Sequence, residues 1–140
     1  MAGTPKWLRI AAIIALLWNV IGCVAILADL RIGPEQIAKL PAAEQAMYAA
    51  RPLWSVGGSL LAVIAGTFGS LGLLLTRRWS VFLLWASLAG VALQDLGLWM
   101  VAHLTHSTTS VAVAMQAMVI AISIGLVVLA RRAERMALLR

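Results

Sequence analysis

Few of the residues that build soluble catalytic sites are present. The 140-residue chain has five Asp and Glu, two His, one Cys and one Tyr. A lone cysteine, Cys23, excludes an internal disulfide, and its position inside an apolar run reads as a small buried hydrophobe. His103 and His106 have no Cys or Glu beside them at ligand spacing, and Thr105, Ser107, Thr108 and Thr109 around them suggest a wet turn. They read as two interfacial histidines, so no metal and no cofactor is expected. There is no Gly-rich phosphate loop, no paired carboxylates, no Ser/His/Asp set and no zinc-protease motif. The segments between apolar runs are too short to fold as a catalytic domain, and an enzyme is not expected.

What the chain has in excess is apolar surface. Hydrophobic residues make up 63% and charged residues 11% of it, with a mean hydropathy of +0.98. A soluble core of this length saturates well below that content, so the surplus must face lipid. The formal charge of +6 does not point to nucleic acid, because the cations stand in short groups between long apolar runs.

About 20 apolar residues are needed to cross ~30 Å of hydrocarbon as a helix. Four runs qualify, at about 7–30, 52–76, 79–103 and 110–130, separated by a loop at 31–51 and followed by a tail at 131–140. Val20-Ile21-Gly22-Cys23 faintly resembles a lipoprotein cleavage box after the charged start at Lys6 and Arg9. Asn19 fits poorly before such a box, and the chain stays apolar after Cys23, so the segment reads as a retained span. The expected fold is all-α: a single membrane domain, an antiparallel four-helix bundle.

Eight cations (Lys6, Arg9, Arg77, Arg78, Arg131, Arg132, Arg135 and Arg140) fall on one side of these spans. Arg31, Lys39 and Arg51 fall on the other, offset by Asp29, Glu35 and Glu44. The positive-inside rule therefore puts both termini and the Arg77-Arg78 turn in the cytoplasm. Arg-rich cations and abundant Ala and Leu lean toward a bacterial inner membrane. Trp7, Trp54 and Trp79 fall at span ends, where an indole buries its ring and keeps its N–H wet. Gly33-Pro34-Glu35 is a helix start, Ile37, Leu40, Ala43 and Met47 recur at helical spacing, and Pro41 interrupts them. One or two short amphipathic helices are expected there, lying on the outer surface or capping the bundle.

Small residues mark helix contacts in lipid, where backbones must approach closely. The second span carries Ser55, Ser59, Ala62, Gly66 and Gly69 beside Gly58, Ala62, Ala65, Gly69 and Gly72, one wide face expected at the bundle centre. The first offers Ala12, Ala15, Asn19 and Gly22; the third Ala86, Gly90, Gln94 and Gly97; the fourth Ala114, Ala117, Ala121 and Gly125. A quinone, a carotenoid or a lipid on the flat Gly face is a weaker reading of the same residues.

Asp95 is the ionisable residue that falls well inside a span, roughly 12 Å from the outer end of its helix. It either bonds locally, to backbone or to Arg51, or is protonated, or it serves as a proton or cation site or an anchor for a partner. Gln94 turns toward the Gly90/Gly97 face, and Asn19, Gln94, Gln116 and Ser123 are placed for interhelical hydrogen bonds, Asn19 or Gln116 to Gln94 among them. Trp18, Trp85 and Trp99 lie deeper than an interfacial belt requires and are expected in the core, with Trp99 on the Asp95 face.

The Leu17-Trp18-Asn19…Gly22 pattern and the acidic loop ending in Arg51-Pro52-Leu53-Trp54 resemble small uncharacterised four-helix bacterial inner-membrane proteins. That resemblance implies four spans and assigns no functional residue. The small multidrug exporters share size and span number, but depend on a membrane-embedded Glu in the first helix, where this chain has Asn19 and a terminal Asp29. The expectation is a non-catalytic accessory or assembly subunit of a membrane complex, or a homo-oligomer. The alternative is an oligomeric ion- or proton-coupled transporter working through Asp95. Expected partners are the bilayer and other membrane subunits or copies of the chain, with no nucleic acid.

Overall fold

All four prolines of the chain stand at helix starts, where a missing N–H leaves no bond unmade. Pro5, Pro41 and Pro52 precede α1 (Lys6–Leu30), α3 (Ala42–Ala50) and α4 (Leu53–Leu74), and Pro34 opens α2 (Pro34–Ile37). Two further helices, α5 (Trp79–Thr105) and α6 (Ser110–Arg135), complete the computed structural model, which describes residues 5–106 and 110–140. Ser107, Thr108 and Thr109, expected in a wet turn, lie outside the described residues.

Among the described residues, four of the six helices, α1, α4, α5 and α6, are long and apolar enough to cross a membrane. They run up and down in sequence as a bundle, and the protein is a membrane protein with an all-helical body. α4 lies at the centre, packed on α5 along one side and on α1 along the other, while α6 touches α5. Glycines set the α4–α5 distance. A methyl group at Gly90 would stand 2.5 Å from the Ala62 nitrogen and 2.7 Å from the Gly58 carbonyl oxygen, so the two backbones are in direct contact. Further along, Gly69 faces Leu84 and Gly72 faces Trp79 and Ser80. The outward side of α1 (Ile10, Ile14, Leu17, Ile21, Val24) is instead large, aliphatic and exposed, the surface that lipid covers.

All four long helices meet at the end that bears both termini. Leu8 and Ala12 of α1, Leu73 of α4, Leu84 of α5 and Val127, Ala130 and Ala133 of α6 form one buried cluster, sealed by Leu139. The tail is pinned there by its own backbone: Arg140 N–H donates to Thr76 O (2.7 Å) and Arg78 N–H to Arg140 O (2.9 Å). α6 runs five residues beyond its expected end. Its last turns carry Arg131 over the Trp85 ring and Arg132 over Trp7, at 5.5 and 6.0 Å from the ring centroids.

The loop between α1 and α4 folds as the two short helices its sequence suggests, broken at Pro41. The Gln45 amide donates to Ala38 O and Leu40 O and holds the break closed. α3 packs against α5 and caps the loop end of the bundle.

Candidate functional site

Toward the loop end α1 and α6 separate, and a cavity of about 430 Å³ opens among α1, α4, α5 and α6. Its floor lies at Asn19, Ser87 and Ser123, and its mouth lies at Asp29 and Arg51. Most of the wall is aliphatic. The serines that line it spend their protons on backbone: Ser59 donates to Ser55 O (3.2 Å), Ser87 to Ala62 O (2.7 Å) and Ser123 to Val119 O (2.8 Å). Asn19 is buried, and its amide donates to Ala15 O (2.9 Å) and Ser70 Oγ (3.2 Å), tying α1 to α4 rather than reaching Gln94. Among the described residues every buried side-chain nitrogen or oxygen has a partner.

The mouth is built from both ends of the loop. Asp29 stands in the last turn of α1, and Arg51 caps the end of α3 just before Pro52. Arg51 Nη1 lies 2.6 Å from Asp29 Oδ2, Tyr48 Oη donates to Asp29 Oδ1 at 2.8 Å, and the guanidinium carbon sits 5.3 Å from the Tyr48 ring centroid. Arg51 is thus engaged by Asp29 and not by Asp95, the partner considered for it on sequence grounds. The reason is position: both charges flank one loop at the same membrane level, whereas Asp95 lies in the interior of α5. Across the ion pair a smaller cavity of about 260 Å³ sits under α3, against Glu44, Met47 and Tyr48.

The hydrogen bond to Asp29, aided by burial and the Asp29 charge, raises the Tyr48 phenol above its ordinary value near 10. A raised folded value means the contact contributes fully below pH ~10 and is lost as pH rises through the higher folded value. Tyr48 is the chain's one tyrosine, so an ultraviolet titration of tyrosinate reads it directly. The midpoint is expected above the ordinary value in the native protein and lower in Asp29→Asn. An unshifted midpoint in both would break the assignment of this contact.

A second polar group lies between α5 and α6. The Gln116 amide donates to Asp95 Oδ1, and Gln94 Nε2 donates to Gln116 Oε1 at 3.5 Å. One amide therefore joins two adjacent α5 side chains that point about 100° apart, by giving to one and accepting from the other. All three residues are half-buried. Gln94 also lines the large cavity; Asp95 is not among the residues lining either cavity.

Comparison with protein-family models, with curated proteins and with solved structures gives no match. The site has to be read from its own geometry.

Trp85 and Trp99, expected in the core, are 45% and 65% exposed. Helix rotation decides this: Leu84, Ser87 and Val91 take the inward side of α5, and the indoles fall outside it. Trp99 stacks on His103 with ring centroids 5.6 Å apart, while His106 caps α5 in a left-handed conformation. No group of three or more potential metal ligands occurs among the described residues.

The glycine faces divide in the same way. Gly58, Gly66, Gly69, Gly72, Gly90 and Gly97 face other helices closely enough that an added methyl would collide with a neighbour; Gly97 meets Ser55, and Gly66 meets Asn19 and Ser87. Gly22 lies against Val63, where a methyl would be 3.1 Å from Cγ1. Helices fill the Gly face of α4, so no ligand lies flat upon it. The open volume is on the neighbouring side, at Ser55, Ser59 and Val63.

On α6 the expected contact face is turned outward. Ala114, Ala117, Ala121 and Gly125 are exposed, and a methyl at Gly125 would meet nothing within 4 Å. At 100° per residue these four fall within about 80° of arc, opposite the side that carries Gln116, Ser123 and Val127. Exposed Val113 and Ile124 rise along one edge of the row, and Val111 and Met118 along the other. α6 meets the rest of the chain through its polar and branched side, and presents a shallow groove of small residues to the bilayer.

Proposed function

We propose that this protein is a non-catalytic subunit of a membrane assembly, joined through the outward groove of α6 to a helix of a partner subunit or of a second copy. The contrast between α1 and α6 carries this reading. The outward face of α1 is large aliphatic surface suited to lipid tails. That of α6 is a row of Ala and Gly between two ridges, the shape that lets a second backbone come close in a medium without a hydrophobic drive. The membrane is bacterial and inner in this reading, with both termini and the Arg77-Arg78 turn cytoplasmic, an orientation that the excess of cations on that side supports. Ion-coupled transport through Asp95 has less support, since Asp95 faces Gln116 and does not line the cavities described.

Gentle purification of a tagged copy from its native membrane, followed by native mass spectrometry, tests the proposal. The expected species is a stoichiometric complex, with a larger partner or with a second chain. A bare monomer, with no crosslink formed from α6 in the intact membrane, would overturn it. So would proton-driven solute flux in liposomes that Asp95→Asn abolishes without changing assembly.

A further inference from the structure

A half-open space of about 430 Å³ is far larger than the voids left in a close-packed interior. It falls in the range of small-molecule sites, ~300–1,000 Å³. Water suits it poorly: Ile26, Val63, Val91, Leu98 and Val119 form much of the wall, and the serine hydroxyls already donate to carbonyls. α1 and α6 share the buried cluster at the terminal end, and both line the cavity beyond it.

Its length and polarity have the form of a lipid. From Asn19 to Asp29 along α1 is about 15 Å at 1.5 Å per residue, half of the ~30 Å hydrocarbon thickness and so one leaflet deep. Its mouth lies where α1 ends and α4 begins, the level of phospholipid headgroups. Arg51 brings unused hydrogen-bond donors to that level. Among the described residues the Arg51 guanidinium has Asp29 on Nη1 and the Tyr48 ring at its side, which leaves Nε and Nη2 to give. A planar guanidinium held on one edge by a carboxylate is well placed to donate from its other edge to phosphate oxygens.

We propose that the cavity holds one acyl chain of a membrane phospholipid, with its phosphate oxygens accepting hydrogen bonds from Arg51 and Asp29 keeping that side chain in place. The proposal is independent of assembly through α6, because Val119 and Ser123 face the cavity from the side of the helix opposite the Ala/Gly groove.

Native mass spectrometry of the full-length protein, stripped of lipid by detergent exchange and then incubated with palmitoyl-oleoyl phosphatidylethanolamine or with oleate, tests it. The native chain is expected to retain one phospholipid. Ser123→Phe, which projects a ring into the cavity, is expected to reduce retention at least tenfold with an unchanged melting temperature, and Arg51→Gln, which also breaks the ion pair to Asp29, about tenfold. If Ser123→Phe does not fold, Val119→Phe tests the same space from one turn away. Retention unaffected by filling the cavity would overturn the site. Displacement by oleate would overturn the phospholipid assignment in favour of a free fatty acid. A quinone, a carotenoid or a partner's polypeptide segment found in the cavity would likewise overturn it.

Discussion

Gly90→Leu is expected to leave no folded bundle. A single methyl at this position would already stand within 2.9 Å of three backbone atoms, the Ala62 nitrogen and Cα and the Gly58 oxygen. Backbone cannot rotate away as a side chain can, so α4 and α5 must separate along their length. Two links across the seam go with the separation: the Ser87 hydroxyl donating to Ala62 O at 2.7 Å and the longer Ser55 contact to Gln94 O at 3.5 Å. In lipid nothing comparable to the hydrophobic effect draws the separated helices back, since the tails solvate their sides equally well. Gly90→Ala is expected to cost about 1–3 kcal/mol, the range for overpacked cores, and Leu to exceed what the fold tolerates. Gly57→Ala provides the control, because a methyl there meets nothing within 4 Å. Unfolding in mixed detergent micelles, followed by tryptophan fluorescence, separates the variants. A Gly90→Leu protein that melts like the native one would show that α4 and α5 are not in backbone contact.

Much of this architecture was legible in the chain, because the membrane imposes strict lengths and periodicities. The four spans follow from run length alone, and the buried row of α4 follows from small residues recurring three and four apart. Pro41 breaks the loop helix where its chemistry says it must. The limits of that reading are equally physical. A row of small residues marks a close-packing face but does not say whether the neighbour belongs to the same chain. Ala114, Ala117, Ala121 and Gly125 have the same spacing as the buried glycines of α4, and point the other way. Trp85 and Trp99 fall outside the core; depth along a span says nothing about rotation around it. The mouth of the cavity is not legible from charge alone, by which Asp29 and Arg51 read only as offsetting charges beside a loop. That one lies at the end of the first span and the other immediately precedes the second is the available signal, since it sets both at one membrane level. Tyr48, one turn before Arg51, completes that contact and carries no mark in the sequence beyond being the single tyrosine.

The sharpest separation between fold and association is expected from Gly125→Leu. Gly125 and Gly90 are both helical glycines in apolar spans, yet their surroundings are opposite: a methyl at Gly90 collides with backbone, and one at Gly125 meets nothing. Leucine at position 125 therefore fits the isolated chain, and as a better helix former than glycine by about 0.5–1 kcal/mol it leaves the monomer as stable as before or slightly more so. Against a docked helix the same side chain fills the groove between the Ile124 and Met118 ridges and holds the partner backbone away. Association is expected to weaken at least tenfold, or ~1.4 kcal/mol, with the fluorescence melt of the monomer unchanged. Ala121→Leu, one turn earlier on the same exposed row, is expected to act likewise, whereas Ala25→Leu on the cavity rim leaves association intact. The measurement is the monomer–complex distribution of each variant against protein-to-lipid ratio in bilayers, by energy transfer between labelled copies or between the chain and its co-purified partner. If Gly125→Leu and Ala121→Leu both associate as the native chain does, the groove of α6 faces lipid alone and the proposed assembly must use another face. If both lose association while keeping the melt, the small residues of α6 serve a second polypeptide as those of α4 serve α5.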